Sequence, residues 1–593
     1  MDEIEPTELD FLPGIVTEGA DRDLKGRWKS GSNVRFRKKL PEKIGGWSKA
    51  FATAFTGICR TMLAWSTLAL AKYIALGTHS KLQLFDGSAL YNITPLDASG
   101  NLTDPFSTTN TSAVVNVADV AHARGEGDTV IFSGASAVGG ITVDGTYTVT
   151  SVVDSDNYTI THGSAATSTA GPGGGTVAYQ YELSIGAINS SFGLGWGAGA
   201  WGASTWGTAR STSNFLRKAR TWSLDLWGED LIANPRGGKV YAWDASVGTG
   251  TRAAEIAAAP DTAKFIIVSP QDRHLIAFGA HDGSVDDPKL VRWCDQEDYT
   301  DWTPTSTNTA GDKRLDVGNE IVSALRSQQE ILIWTDLAFY SMFFTGPPYT
   351  FGFREQAEQC GLVGPNARIL DRTGVAYWMG CQDFFVYDGR VRLLPCDVRN
   401  YVMGDMNEQQ RDKIVCGSNR EFTELIWLYP SAASAEIDRW VAYELETQVW
   451  SLGSFARTAW IDRSVFAQKP IAAGADGYLY QHETGQAGDG AAIAWHLESY
   501  DAEIGQGGQM MHVGKLWPNF LEFAGSMTVY LKSRRYPQGA QKTKGPYTIG
   551  PATEYKAVRA RGRQMAIRVE GSGLSDAFRM GKWRATIQPD GGR

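Results

Sequence analysis

Strand–turn–strand units recur along this chain, and they constrain its fold more than any other feature does. Asp-Gly pairs, which mostly lie between apolar or alternating runs, begin at Asp86, Asp144, Asp282, Asp388 and Asp476. Asp-Gly supplies the positive φ that a tight hairpin needs. Residues 81–93, 382–394 and 473–485 each read as a strand, a turn and a second strand. The pattern predicts an all-β chain with hairpin tips at these pairs.

The spacing of these units predicts a particular all-β architecture. Successive units lie roughly 40 to 50 residues apart, the period of four-stranded propeller blades. We therefore expect a degenerate β-propeller of roughly six to eight blades, because no WD or kelch signature recurs at a fixed offset. The 66 Gly, 20 Trp, 22 Tyr and 24 Phe agree with a β-rich chain. A short helix from Met406 is expected as a connector between strand units.

Two regions depart from the propeller pattern and set the domain boundaries. From about Gly100 to Glu182 the chain is rich in Thr, Ser, Val, Gly and Asp and has no Trp, which predicts a small inserted β domain. From about Ser499, strands alternate with basic residues on one face, which predicts a terminal β platform. The expected domains are an N-terminal basic arm of the platform (1–50), first propeller strands (51–99), the inserted domain (100–182), the propeller (183–498) and the C-terminal platform (499–593).

Composition excludes several classes of protein. The chain has 593 residues, 42% hydrophobic and 20% charged, so it is neither a disordered tail nor a fibrous repeat. No apolar run approaches the length of a membrane span, and the acidic N-terminal sequence does not resemble a secretory signal. We therefore expect synthesis in a cytoplasm. Six Cys without CxxC spacing are expected to be reduced core thiols.

Charge is distributed unevenly along the chain. Residues 1–21 hold seven acids and no base, residues 22–49 hold ten bases and two acids, and residues 532–593 hold fourteen bases and four acids. The intervening residues therefore carry most of the negative charge, within a net charge of −9. This uneven distribution of charge bears on what the protein binds and does not bear on its fold.

The motifs that would indicate catalysis or cofactor binding are each incomplete. GAGAWG at residues 197–202 fits GxGxxG but neither follows a hydrophobic strand nor opens a helix. The chain has no Walker A motif, no complete nucleophile elbow and no HExxH. The eight His are scattered, and turn chemistry accounts better for Asp154 and Asp156 than a calcium loop does. We expect no enzyme activity, no catalytic residue, no cofactor and no metal.

The N-terminal bases interleave with aromatic residues. Such a pattern could bind phosphate backbones, with Trp28, Phe36 and Trp47 stacking on bases. The same bases could instead pair with an acidic protein partner, or with the chain's own acidic first 21 residues. We favour a protein partner.

With these residues laid out, both ends and a central segment resemble a known family. VRFRKKLPEKIGGW (residues 34–47), within the longer segment 11–47, is similar to the opening of tail proteins of short-tailed bacteriophages, known as nozzle, tail tubular or packaged-DNA stabilisation proteins. Residues 215–244 and 562–593 also resemble that family. The three segments bracket nearly the whole chain.

The resemblance implies a structural role in a virion. It implies a homo-oligomeric ring, six copies in number, at the distal end of a short phage tail, where the ring retains the packaged genome and conducts it during ejection. Its expected partners are a tail adaptor ring, tail fibre or needle proteins, and double-stranded DNA that passes without specific binding. Basic and aromatic candidates for the ring or adaptor interface are Arg22, Lys25, Arg27, Lys29, Arg35, Arg37, Trp47, Arg559, Arg561 and Arg563.

An acidic channel would repel DNA, whereas each cation on its wall would add affinity for phosphate. The acidic middle of the chain suits this expectation. The candidates for channel-facing residues are Asp286, Asp287, Glu297 and Asp298.

Two further functions remain open at this point. The chain could be a propeller module that binds host-surface glycan through stacked Trp and Tyr rings. It could also be a propeller hydrolase that cuts a host polysaccharide with paired carboxylates, although nothing in the sequence selects such a pair.

Overall fold

The fold is all-β and is built mainly from short antiparallel strands. A computed structural model describes residues 5–20, 23–192, 216–346, 349–503 and 508–591. Within those ranges the helices are α1 (Arg399–Asp405) and a 3₁₀ helix (Glu408–Lys413). No helix in the described ranges is long and apolar enough to cross a membrane.

The strands follow one another closely along the chain. The first group is β1 (Thr7–Leu9), β2 (Trp28–Ser32), β3 (Val34–Arg37), β4 (Leu40–Lys43), β5 (Trp47–Lys49), β6 (Cys59–Ser66), β7 (Lys72–Thr78), β8 (Leu82–Phe85), β9 (Leu90–Asn92), β10 (Leu96–Thr103), β11 (Phe106–Thr108), β12 (Val114–Ala118), β13 (Thr129–Ser133), β14 (Gly145–Val152), β15 (Asn157–Thr161), β16 (Ala170–Gly173), β17 (Thr176–Glu182), β18 (Ser191–Phe192) and β19 (Leu216–Arg217). The second group is β20 (Trp222–Trp227), β21 (Asp230–Pro235), β22 (Tyr241–Trp243), β23 (Ala254–Glu255), β24 (Phe265–Val268), β25 (Leu275–Phe278), β26 (Leu290–Trp293), β27 (Gly311–Arg314), β28 (Ile321–Arg326), β29 (Ile331–Thr335), β30 (Ala338–Gly346), β31 (Thr350–Glu358), β32 (Arg368–Leu370), β33 (Ala376–Met379), β34 (Phe384–Tyr387) and β35 (Val391–Leu394). The third group is β36 (Val415–Asn419), β37 (Glu424–Tyr429), β38 (Arg439–Glu444), β39 (Val449–Gly453), β40 (Ala459–Ile461), β41 (Ile471–Ala473), β42 (Leu479–His482), β43 (Trp495–Ser499), β44 (Ala502–Glu503), β45 (Met511–Trp517), β46 (Phe520–Ala524), β47 (Met527–Arg534), β48 (Lys542–Ile549), β49 (Lys556–Gly562), β50 (Gln564–Gly571), β51 (Ala577–Met580) and β52 (Trp583–Pro589).

The chain divides into two compact units. Unit 1 comprises Met1–Ala54, Ser327–Ser341 and Arg354–Arg593, and unit 2 comprises Phe55–Arg326 and Met342–Phe353. Three four-stranded sheets of consecutive strands lie wholly in the described part of unit 2, in the orders β6-β7-β8-β9, β20-β21-β22-β23 and β24-β25-β26-β27. Unit 1 contains β32-β33-β34-β35 and β36-β37-β38-β39, and a sheet β40-β41-β42-β5 that β5 completes from the N-terminal segment. These repeated sheets are those of a propeller-like fold.

Neighbouring sheets of unit 2 contact each other through a tryptophan placed on a glycine. The indole N–H of Trp222 on β20 donates to the carbonyl oxygen of Thr78 at 2.7 Å. A Cβ built on Gly77 would lie 2.6 Å from Cγ of Trp222, so the ring can reach this carbonyl only because residue 77 has no side chain. Trp65, Leu84 and Leu231 join the same buried cluster, which holds the first two sheets together.

The same contact recurs in unit 1. The indole N–H of Trp460 on β40 donates to the carbonyl oxygen of Ser418 at 2.9 Å. A Cβ on Gly417 would lie 2.2 Å from Cδ1 of that ring. In both contacts, the residue that the Trp ring covers is a Gly, and a Cβ at that position would collide with the ring.

The inserted β region in unit 2 has its own hydrophobic core. Its eight strands follow the order β10-β17-β13-β14-β15-β12-β11-β16. Phe106, Phe132 and Ile160 are among its fully buried side chains. Its first and last strands pair with each other, with Asn101 opposite Ala178. The region therefore leaves and rejoins the chain at one place.

A buried carboxylate ties this region to the adjoining sheet. The side chain of Glu182 is 1% exposed and forms ion pairs with Lys81 and, at 2.9 Å, with Arg252. It also accepts a hydrogen bond from the side-chain amide of Asn92 at 2.8 Å. Two cations and an amide donor compensate the burial of this anion.

In unit 1, strands from both ends of the chain share three sheets. The orders are β1-β52-β45-β49, β3-β4-β51-β46 and a sheet that contains β2-β43-β50-β47-β48. Thr7 lies opposite Ala585, and Trp28 lies opposite Ser499. β4 pairs with β51, with Glu42 opposite Arg579, so the two basic ends, which are remote in sequence, lie together.

The structure confirms some of the predicted turns. Asp86-Gly87, Asp388-Gly389 and Asp476-Gly477 connect the paired strands β8–β9, β34–β35 and β41–β42. The other two pairs are not tight hairpin tips: Gly145 begins β14 after a long loop, and Asp282-Gly283 lies in an irregular connection closed by the bridge between His281 and Asp286.

Other local expectations need correction. The helix expected from Met406 is a 3₁₀ helix at Glu408–Lys413, preceded by α1, which the sequence did not indicate. Cys59, Cys294 and Cys360 are buried free thiols, but Cys381 is exposed and is not a core residue. The Gly-Trp segment that includes GAGAWG lies outside the described residues.

We predict that the inserted region can be removed without unfolding the rest of the chain. Deletion of Leu102–Ala178 joins Asn101 to Tyr179 at a point where the two strands already lie side by side, and it leaves Glu182 in place. The variant should keep the thermal transitions of the full chain in circular dichroism. As a control, deletion of the sheet Trp222–Glu255 should abolish the transition of unit 2, because this sheet shares its core with both neighbours. Loss of folding in the first variant would contradict the prediction.

Candidate functional site

The C-terminal sheets of unit 1 form an open basic concavity, which we call the basic trough. Its volume is about 650 Å³. Strands β45 and β49 provide one wall, with His512 opposite Arg561, and the ends of β47 and β48 provide the other. The lining cations are Arg534, Arg535, Lys542, Lys544, Arg559 and Arg561. None of the residues described as lining it is acidic.

Strand alternation places Arg559 and Arg561 in the trough. Successive side chains of a strand point to opposite faces. Val558, Ala560 and Gly562 of β49 are buried, so the two arginines between them are exposed on the other face. A local sequence pattern is sufficient to position these two cations.

Lys542 and Lys544 reach the trough for a different reason. They lie on the edge strand β48, opposite Ser533 and Leu531 of β47. Both partners are buried, and residues directly opposite each other in a sheet share a face. The two lysines therefore lie on the same face of the sheet as Leu531 and Ser533, with their side chains exposed.

The cations of the trough differ in how far their charge is compensated. Arg561 forms an ion pair with Asp590 at 2.5 Å, and Arg534 lies 3.7 Å from Asp501. Among the described residues, Arg535, Lys542, Lys544 and Arg559 have no carboxylate partner. The trough thus keeps an uncompensated positive charge from both of its walls.

A second concavity of about 650 Å³ adjoins the first and shares His512 with it. Lys515 and Arg584 line it together with Glu5 from the acidic N-terminal segment. Nearby, Lys582 binds Asp10 at 2.9 Å. Acidic residues of the N-terminal segment therefore lie at or near the second concavity.

The other interface candidates lie at different places in unit 1. The ammonium group of Lys25 donates to the carbonyl oxygen of Glu503 at 3.0 Å, and that of Lys29 lies over the ring of Tyr500 at 5.3 Å. Arg27 is half-buried, and Tyr500 bonds to its carbonyl oxygen. Arg37 is exposed above Phe422, and Arg563 lies over the ring of Tyr536 at 5.3 Å. Arg22 lies outside the described residues.

The expectation that Arg35 lies at an outer interface is wrong, because the chain buries it. Arg35 is 3% exposed, and its guanidinium lies 2.5 Å from Glu483, 3.6 Å from Glu424 and over the ring of Phe422. Burial alone would lower the pKa of Arg35, but the neighbouring carboxylates outweigh it and raise the pKa. These ion pairs link β3 to β37 and to the residue that follows β42.

Trp47 is also occupied by internal contacts. Its ring lies 5.7 Å from that of Phe455 and 5.4 Å from that of His482, and the guanidinium of Arg457 lies 5.0 Å from it. Burial, together with the charge of Arg457, lowers the pKa of His482 well below its ordinary value, so this His stays neutral beside the arginine.

The four channel candidates lie in the connections of the sheet β24-β25-β26-β27, and each has a local partner. Asp286 accepts a hydrogen bond from Thr262 at 2.5 Å, and Asp287 pairs with Arg314 at 2.6 Å. Glu297 pairs with Arg273 at 2.9 Å, and Asp298 accepts from the Thr300 amide at 2.8 Å. These contacts order the loops, and the channel-facing position stays a prediction.

The described residues hold no group of three or more His, Cys, Asp or Glu that could bind a metal ion. The charged groups of the trough are cations, which suit binding of an anion rather than acid–base chemistry. Their arrangement supports a binding surface.

Comparison with known proteins does not identify a family. No protein-family model matches the chain, and no curated protein matches it.

Several solved structures are similar to this chain, all at low identity. The phage phi92 endosialidase is 10% identical, with 74% of this chain and 63% of the endosialidase covered and a TM-score of 0.20. A fungal alcohol oxidase in complex with copper is 8% identical, with 83% and 99% covered and a TM-score of 0.31. The AfRom2 CNH domain is 10% identical, with 48% and 90% covered and a TM-score of 0.27. At such TM-scores these likenesses carry no argument about activity, ligand or partner.

The buried carboxylate beside Arg35 predicts a pH dependence of stability. Burial raises the pKa of Glu424 from 4.5 to about 7. An acid whose pKa is raised by folding contributes stability below its unfolded pKa and loses it as the pH rises through the folded pKa. Wild type should therefore lose up to about 3 kcal/mol relative to Glu424→Gln between about pH 4.5 and pH 7.

Urea unfolding of both proteins at several pH values would measure this difference. Glu446→Gln, which removes an exposed carboxylate two residues after Glu444, is the matched control for the loss of one charge. A constant difference between wild type and Glu424→Gln over this range would contradict the prediction.

Proposed function

We propose that this protein is a structural component of a short bacteriophage tail. In this proposal, six copies form the nozzle ring at the distal end of the DNA channel, which retains the packaged genome and conducts it during ejection. The protein acts without catalysis, in the virion, after synthesis in the host cytoplasm. Its partners are the adaptor ring and fibre or needle proteins of the tail.

One observation carries the proposal furthest. Strands from both basic ends share sheets, as in the pairing of β4 with β51 and in the sheet that contains β2, β50, β47 and β48. A chain with net charge −9 thereby gathers positive charge from remote segments in one unit. Electrostatic complementarity between surfaces steers association and fixes the partner. A component that must dock against other proteins in one orientation benefits from such a platform.

The acidic remainder of the chain agrees with passage of DNA. Because each phosphate contact to Lys or Arg adds affinity, a channel wall with few exposed cations lets the polymer move. Exposed acids such as Asp286 and Glu297 lie in connections of one unit 2 sheet. We propose that these connections face the channel.

The first test is the mass of the assembled protein. Mass photometry and negative-stain microscopy of the purified chain should find rings of six copies, and the Leu102–Ala178 deletion variant should give rings as well. A protein that remains a single copy at all concentrations and that binds host glycan on an array would contradict the proposal and favour a glycan-binding module.

The second test concerns the channel. Asp286→Lys combined with Glu297→Lys should slow DNA release from assembled particles, because six-fold repetition multiplies the added phosphate contacts. Both residues are exposed, so loss of their local contacts should cost no more than about 1 kcal/mol each. Glu126→Lys combined with Glu446→Lys, also at exposed positions, gives the same charge change as a control. Unchanged release at all salt concentrations would remove these loops from the channel wall.

A further inference from the structure

The basic trough has the features of a binding site for an acidic chain. Arg535, Lys542, Lys544 and Arg559 line it without a carboxylate partner among the described residues. Like charges within a Debye length, about 8 Å at physiological salt, repel each other with little screening. An anion in the trough would relieve this repulsion.

The spacing of the cations indicates the form of that anion. Arg559 and Arg561 are two residues apart on β49, and Lys542 and Lys544 are two residues apart on β48. Two residues of a strand span about 6.7 Å. A peptide in extended conformation with acids at alternate positions presents carboxylates at the same interval on one face.

The main chain around the trough also suits a peptide. β48 and β49 are each the last strand of their sheets, and each pairs with a single neighbour in the described part of the chain. Their outer edges pair with no further strand of the described residues, and a peptide strand can add to such a sheet edge through main-chain hydrogen bonds. A nucleic acid cannot form such a ladder.

Edge protection offers another explanation for part of this charge. Lys and Pro on an edge strand, here Lys542, Lys544 and Pro546 of β48, prevent edge-to-edge aggregation. Edge protection does not explain why Arg535 and Arg559 are present. It also does not explain why these arginines line the same concavity as the two lysines.

We propose that the basic trough binds an acidic segment of a partner protein in extended conformation, with its alternate carboxylates on Arg559, Lys542, Lys544 and Arg535. This inference rests on the proposed structural function only for the existence of a protein partner. It names the surface and the chemistry by which the partner is recognised.

The test uses the full chain and a labelled twelve-residue peptide of alternating Glu and Thr. Fluorescence anisotropy should detect binding that weakens as salt increases. A peptide with Gln in place of Glu, and one with all Glu in a single block, should each bind about tenfold more weakly. Absence of binding by the alternating peptide, or equal binding by the block peptide, would overturn the proposal.

Variants locate the site. Arg559→Glu combined with Lys544→Glu should weaken binding of the alternating peptide by about tenfold or more. Lys72→Glu combined with Lys313→Glu, which reverses two exposed lysines on strands of unit 2, should leave it unchanged. If the reversed variant fails to fold by circular dichroism, Arg559→Gln with Lys544→Gln takes its place. Equal binding by wild type and the folded trough variant would overturn the proposal.

Two further measurements separate the alternatives. A 20-base-pair DNA duplex that binds more tightly than the peptide, with the same loss in the trough variant, would make the trough a nucleic-acid surface and overturn the peptide assignment. The mass of each sample is recorded in parallel. Peptide binding without ring formation contradicts only the ring, and ring formation without peptide binding contradicts only this inference.

Discussion

Main-chain pairing between the two ends of the chain is the interaction on which the terminal sheets depend. β1, β2 and β3 each lie at the edge of a sheet whose other strands include C-terminal ones. Without these pairings, strands such as β52 and β43 would present long unpaired edges, which proteins normally cover. The closure spans more than 400 residues, yet the entropic cost of closing a loop grows only with the logarithm of its length.

The repeated sheets could be foreseen because their turns depend on local chemistry. Asp388-Gly389 and Asp476-Gly477 lie in tight hairpins, where the positive φ of the glycine is required. The contacts between sheets could not be foreseen. Trp222 covers Gly77 and Trp460 covers Gly417, although the two residues of each pair are some 145 and 43 positions apart in the sequence. No fixed offset relates the two residues, so a search for a repeat signature does not find them.

The candidate site was predictable only where strand alternation suffices. Arg559 and Arg561 follow from the pattern of β49, whereas Lys542 and Lys544 depend on a register shift between Val529 and Leu531 of β47. A shift of one residue moves every side chain of a strand to the other face. Without it the two lysines would lie on the opposite face of the sheet. Nothing in the local sequence of the lysines reports an irregularity in the neighbouring strand.

Arg35 and Arg559 show why the number of basic residues in a segment does not locate a binding surface. Both occur in segments with a large excess of bases, but Arg35 is surrounded by Glu42, Glu424 and Glu483, whereas Arg559 has no carboxylate beside it in the described part of the chain. Burial without partners would be prohibitive for an arginine, so the carboxylates had to be supplied by strands from elsewhere in the fold. Because these carboxylates neutralise the buried guanidinium of Arg35, its charge is not available to attract a partner protein. The positive charge that remains available is that of cations which the fold leaves in water, and only tertiary structure separates the two kinds.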